Sequence, residues 1–221
     1  MINYLLSFLY PVRLKNYSSR FSGNIEINLV NGVKMIDTKT SNYSYGSLQK
    51  VLKSGLKAIN FGNDYRNILV LGMGGGSIVP TIRHDFRSDA HITLVDIDEE
   101  IIAIAQNEFD LLKYSNLKLV HADAYSFMEN QHASFDLIIM DVFIIDRIPE
   151  AFQSETFLKL LINKLSPKGS LIYNTMRLTL PDDILLNMRN FLIPEFNEVY
   201  VLEAVNGTNN LLLAKEKKFN Q

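Results

Sequence analysis

The chain has 221 residues, 47% of them hydrophobic and 21% charged, with a formal net charge of -2. That length suits one domain with a small appendage and allows a sizeable core. There is no basic excess to attract a nucleic acid. The absence of cysteine removes disulfides, thiol nucleophiles and zinc–thiolate sites. A reducing cytoplasm suits such a chain, so a cytoplasmic location is expected. The four histidines, His84, His91, His121 and His132, form no i, i+4 pair, and no metal site is expected.

Residues 1–12 are apolar but too short to span a bilayer, and Pro11 interrupts them. They lack the basic start and small-residue cleavage site of a signal peptide. They read as a short helix packed on the domain or on a partner, with an interfacial anchor as the alternative. Residues 22–37 read as a β-hairpin: Ile25, Ile27 and Leu29 alternate with polar residues, and Asn31-Gly32 is a strong two-residue turn signal. A polar stretch, Thr38–Ser44, precedes a helical segment, Ser47–Leu56. Residues 1–56 are taken as an N-terminal appendage and 57–221 as the main domain.

From residue 67 strands and helices alternate. Asn67–Leu71, Ile92–Val95, Leu117–Val120, Phe135–Met140 and Ser170–Tyr173 read as strands, the apolar runs among them as expected of strands buried on both faces. Helices are expected at Ile78–Arg83, Glu99–Phe109 with Asp98 as N-cap, Ser154–Leu165 and Asp182–Phe191. Glu198–Glu203 and Leu211–Lys215 flank the turn Asn206–Asn210, which allows only an antiparallel pairing. Lys215–Gln221 reads as a frayed, charged tail. The fold class is therefore α/β: a Rossmann-like, mostly parallel seven-stranded sheet with one antiparallel strand, preceded by a small hairpin.

The chemistry concentrates at the strand ends. The first strand runs into Gly72-Met73-Gly74-Gly75-Gly76, a turn that lets a ligand approach the backbone closely. In a doubly wound sheet this is where a nucleotide-like ligand sits. The spacing is neither the Gly-x-Gly-x-x-Gly of dinucleotide binders nor a P-loop. Asp96, with Ile97 beside it, ends the second strand, where a carboxylate can accept ribose hydroxyls. Asp123 ends the third and can meet an adenine amine, with small Ala124 leaving room for the ring. Asp141 ends the fourth and faces the crevice. Gly, Asp, Asp, Asp on four strand ends is more specific than any one motif.

These stations resemble the class I methyltransferase fold and, within it, the spermidine synthase-like group. Val95-Asp96-Ile97-Asp98 is similar to that group's Val-Glu-hydrophobic-Asp stretch, and His121-Ala122-Asp123-Ala124 to its adenine-reading segment. Phe135–Asp141 resembles the run into its Asp-Ser-Ser-Asp-Pro loop, and Ser166-Pro167-Lys168-Gly169 its Pro-x-Gly before strand five. The resemblance implies S-adenosylmethionine, or decarboxylated S-adenosylmethionine, as the donor. Gly72, Gly74, Gly75, Gly76, Asp96, Ile97, Asp123, Ala124 and Asp141 would bind it.

Two departures bear on the acceptor, expected to be a small molecule. Ile144 stands where the group has its second aspartate, and Ser44-Tyr45-Gly46-Ser47 keeps only the serine and tyrosine of its Ser-Tyr-His-Glu segment. Asp141 is the candidate to orient or deprotonate the acceptor, or else to face the sulfonium. Tyr45 would close the pocket or serve the core. The expected activity is methyl transfer to an unidentified acceptor. The alternatives are aminopropyl transfer from the decarboxylated donor to a polyamine or other amine, and a non-catalytic adenosine-ligand-binding or assembly module. The apolar N-terminus suggests a homodimer.

Overall fold

Two sheets organise the chain. The computed structural model describes residues 1–38, 42–44, 46–144 and 146–218. The first sheet is antiparallel, with β1 (Val12–Ser19), β2 (Gly23–Val30), β3 (Val33–Thr38) and β4 (Asn42–Ser44) in that order. The expected hairpin is β2–β3. Val30 pairs with Val33 around Asn31-Gly32, whose φ values are both positive, at 49° and 77°. This matches the right-handed twist of the flanking strands. Strands β1 and β4 were not legible in the sequence. In β1 a bulge between Arg13 and Lys15 breaks the alternation that would have marked it.

Helix α1 (Ile2–Leu6) sits on the hairpin turn. The Ser7 carbonyl accepts the Asn31 N–H at 2.8 Å and its hydroxyl accepts the Gly32 N–H at 2.9 Å. A Cβ at Gly32 would come 2.8 Å from the Tyr4 ring. The apolar side chains of Ile2, Leu5 and Leu9 point away, 73%, 63% and 80% exposed.

After α2 (Ser47–Ala58) comes the main sheet: β5 (Asn67–Leu71), β6 (His91–Asp96), β7 (Leu117–His121), β8 (Phe135–Met140), β9 (Leu165–Met176), β10 (Phe196–Val205) and β11 (Asn209–Lys217). Its order is β10-β11-β9-β8-β5-β6-β7, and β11 alone runs against its neighbours. The connecting helices are α3 (Ile78–Pro80, continued by a π turn Thr81–Asp85), α4 (Glu99–Glu108), α5 (Ala124–Asn130), α6 (Glu150–Gln153), α7 (Glu155–Lys164) and α8 (Asp182–Leu192).

The apolar runs serve both faces. Leu69, Leu71, Ile138 and Met140 enter one core layer, and Ile68, Val70, Leu137 and Ile139 the other. The tail expected to fray from Lys215 is strand as far as Lys217, whose ammonium donates to the carbonyls of Ile162 and Leu165. Residues 219–221 of that tail lie outside the described residues.

The small sheet is fastened along α4. Ile25, Ile27 and Ile36 pack on Ile101 and Ile104, all buried. At the start of α4, Asp98 caps the helix by accepting the Glu100 N–H (3.1 Å), as the sequence suggested, and also accepts the hydroxyls of Ser19 (2.5 Å) and Ser22 (2.6 Å). At the end, buried Glu108 sits where the helix dipole disfavours a negative charge. Lys15 at 2.5 Å, Tyr17 at 2.9 Å and Lys34 at 3.4 Å answer it. Burial opposes its ionisation, but these partners outweigh it and hold the carboxyl below its ordinary range. Glu108 thus stabilises the fold above the ordinary glutamate range and loses that contribution in acid. Glu108→Ala is expected to lower the thermal midpoint at pH 7 by about 4 °C or more. Thermal unfolding followed by circular dichroism should show the deficit shrink below about pH 4, as the parent carboxyl protonates.

Candidate active site

Four of the main-sheet strands end together on one rim. Parallel pairing of β6, β5 and β8 puts Asp96, Gly72 and Asp141 side by side, with Gly72 N–H donating to Val95 O at 2.9 Å and Asp141 N–H to Leu71 O at 2.8 Å. The chains are so close that a Cβ on Gly72 would come 2.3 Å from the Asp141 carbonyl oxygen. With φ at +80°, this position needs glycine on two counts.

The turn is shaped by Asp96. Its Oδ2 accepts the N–H groups of Met73 (3.0 Å) and Gly74 (3.3 Å), and its Oδ1 that of Asp98 (3.0 Å). A carboxylate offers about four acceptor sites, so one remains open on Oδ1. Burial pushes Asp96 up to about 6; the charge of Asp98 adds to this, and the three N–H donors oppose it.

A cavity of about 460 Å³ lies over these strand ends. Of the residues singled out in the sequence, Gly72, Gly74, Asp96, Ile97, Asp123, Ala124 and Asp141 line it. Gly75 and Gly76 are buried and are not among its lining residues; a Cβ on Gly76 would meet Leu111 at 2.8 Å. Tyr45 lies outside the described residues, and Ile144 stands on the cavity wall, 61% exposed. Asp123 caps α5 through Oδ1, which accepts the Ser126 N–H at 2.9 Å.

Sequence reasoning missed the supports of Asp141. Asn174 Nδ2 donates to Asp141 Oδ1 at 2.7 Å, and Asn209 Nδ2 donates to Asn174 Oδ1 at 2.9 Å. Thr208 closes the chain by donating to Asn209 Oδ1 at 2.7 Å. Both asparagines are buried. The signal was present: Asn174 is the first polar residue after the apolar strand Leu171–Tyr173, one strand over from Asp141. Phe21 and Ser22, from the β1–β2 turn, also line the cavity. Burial pushes Asp141 up to about 7; the charge of Asp96 adds to this and the Asn174 hydrogen bond opposes it.

A glycine turn facing acidic strand ends, on a seven-stranded sheet with one reversed strand, defines the class: a Rossmann-like α/β fold of the class I methyltransferase type. The family described as Spermine/spermidine synthase domain matches residues 50–207, so the chain belongs to that family. It is 29% identical over 167 residues to the eEF1A lysine and N-terminal methyltransferase of Xenopus laevis, covering 70% of this chain and 24% of that protein. It is 33% identical over 113 residues to the polyamine aminopropyltransferase of Chromobacterium violaceum, covering 51% of this chain and 43% of that protein. The chain thus spans less than half the length of either relative. Among solved structures, human methyltransferase-like protein 13 in complex with SAH superposes with a TM-score of 0.61 at 23% identity, covering 80% of this chain and 85% of that one.

The two raised carboxyls have a measurable consequence. Both hold a proton more tightly folded than their ordinary value of 3.8 allows, so the folded chain binds more protons between about pH 4 and 7. Their contribution to stability therefore falls as pH rises through that window. Asp141→Asn keeps an acceptor for Asn174 and removes the titration. Its thermal midpoint should exceed the parent's at pH 8, by about 2–4 °C for each kcal/mol relieved, and approach it at pH 4. An equal offset at both pH values would refute this account.

Proposed function

We propose that the chain binds the adenosine of a sulfonium donor over the ends of β5, β6 and β7 and transfers a methyl group from it to an acceptor beside Asp141. The observation that carries this is the continuity of one cavity across Gly72, Asp96, Asp123 and Asp141. In this reading Asp123 Oδ2 meets the adenine amine beside Ala124, and the open site on Asp96 Oδ1 takes a ribose hydroxyl. Gly72 and Gly74 let the donor chain lie against the backbone. The sulfonium carries its own activation, so the protein mainly aligns the partners and removes a proton. Asp141 is suited to that step, since its raised carboxyl titrates near neutrality.

A second reading, aminopropyl transfer from the decarboxylated donor, is favoured by one observation. No lysine, arginine or histidine stands among the described lining residues, so a donor carboxylate would rely on backbone N–H groups. The cysteine-free composition supports a cytoplasmic setting, and the exposed Ile2, Leu5 and Leu9 support pairing of two copies at that end.

Calorimetry with S-adenosylmethionine, its decarboxylated form and 5′-methylthioadenosine tests the donor site, and mass spectrometry of acceptor mixtures identifies the group moved. Asp141→Asn is expected to lower turnover by about 10²–10⁴-fold while nucleoside affinity changes little. Turnover with the decarboxylated donor alone would select the second reading. Binding without turnover would select a non-catalytic module. Failure to bind any of the three would remove the donor site.

A further inference from the structure

Four side chains beside the cavity form one hydrogen-bonded chain with a direction. Thr208 donates its hydroxyl to Asn209 Oδ1, Asn209 Nδ2 donates to Asn174 Oδ1, and Asn174 Nδ2 donates to Asp141 Oδ1. Every donor is turned toward Asp141. The Met176 sulfur sets that sense. Asn209 stands opposite Met176 in the β9–β11 pairing, and its Nδ2 lies 3.5 Å from Met176 Sδ. A thioether sulfur accepts weakly and donates nothing. Turning the Asn209 amide over would therefore set oxygen against sulfur. With the Asn209 nitrogen facing Asn174, Asn174 answers with its oxygen, and its own nitrogen is directed to Asp141. The two asparagines are only 5% and 1% exposed, so their amides depend on these partners. The far end is anchored at the surface: Thr208 is exposed, and its carbonyl accepts the Arg177 N–H at 2.9 Å.

We propose that Asn174, Asn209 and Thr208 are positioning residues that hold Asp141 in one orientation and bias it toward the proton-accepting carboxylate, with the exposed β10–β11 turn as their anchor. This rests on the role given to Asp141 in the reading above and names the groups that prepare it. A donated hydrogen bond favours the charged form of a carboxyl. A run of donors that point the same way polarises each link and strengthens the last. Burial and the charge of Asp96, from β6, press Asp141 the other way. The further lining acids are Asp98, Asp123 and Asp146, the last with the Arg147 guanidinium 3.9 Å away. None of these charges is altered by a change in the chain itself, so a shift in Asp141 reports the chain.

The test is a carbon-13 NMR titration of the aspartate carboxyls of the full chain without ligand, with Asp141 assigned by its loss in Asp141→Asn. Asn174→Leu is expected to raise the Asp141 midpoint by about one pH unit or more. Thr208→Val removes the hydroxyl from an exposed side chain and keeps its shape. It should raise the midpoint in the same direction by on the order of a few tenths of a unit, while Thr208→Ser, which keeps the hydroxyl, should hold the parent value. Should Asn174→Leu fail to fold, the two Thr208 variants decide alone. An unchanged midpoint in Thr208→Val, an equal rise in Thr208→Ser, or a fall in Asn174→Leu would overturn the proposal. Donor binding is read separately by calorimetry, so failure of the titration leaves the donor reading standing, and failure to bind any nucleoside leaves the titration result intact.

Discussion

The cavity depends on one carboxylate that is spent on the backbone. Asp96 gathers the N–H groups of Met73, Gly74 and Asp98, and so ties the glycine turn of β5 to the end of β6. A glycine-rich turn is entropically expensive to order. The N–H donors left by its positive-φ residues would otherwise need water or a ligand. Asp96 supplies that partner before any ligand arrives, so the turn is preorganised. The same choice restrains it as a ligand, because few of its lone pairs remain.

A second carboxylate, Asp98, extends the arrangement outward. It caps α4 and holds the β1–β2 turn through Ser19 and Ser22. With Glu108 at the other end of the helix, α4 becomes a splint between the two sheets. Phe21 and Ser22, in the turn that Asp98 holds, line the cavity. The small sheet thereby contributes to the cavity wall.

Much of this was legible in the sequence, for physical reasons that can be named. The parallel strands bury both faces, so Ile68–Leu71 and Leu137–Met140 appear as unbroken apolar runs. Asn31-Gly32 announces its turn because both residues tolerate positive φ. The acids at Asp96, Asp123 and Asp141 stood out because each stands at or just past the end of an expected strand. What was illegible depends on contacts between distant segments. The bulge of β1 hides its period, and Glu108 reads as a surface acid until Lys15, Tyr17 and Lys34 converge on it. Asn174 and Asn209 lie 35 residues apart and meet only because β11 is inserted beside β9. The place of Asn174 after Leu171–Tyr173 marks that residue alone; no local pattern announces its link to Asn209 across two strands.

The reversed strand separates how the two halves of the cavity can change over time. The half where the donor is proposed to bind starts from the ends of β5 and β6, inner strands whose neighbours are mostly core, so a substitution there disturbs packing. Thr208 and Asn209 belong to the hairpin joining β10 and β11, whose turn is exposed at Asn206 and Gly207. Hairpin turns tolerate replacement and length variation better than central strands do. Drift in that one turn would re-aim the support of Asp141 and reshape that side of the cavity while leaving the glycine turn and Asp96 in place. A fold wired this way can change substrates through its periphery.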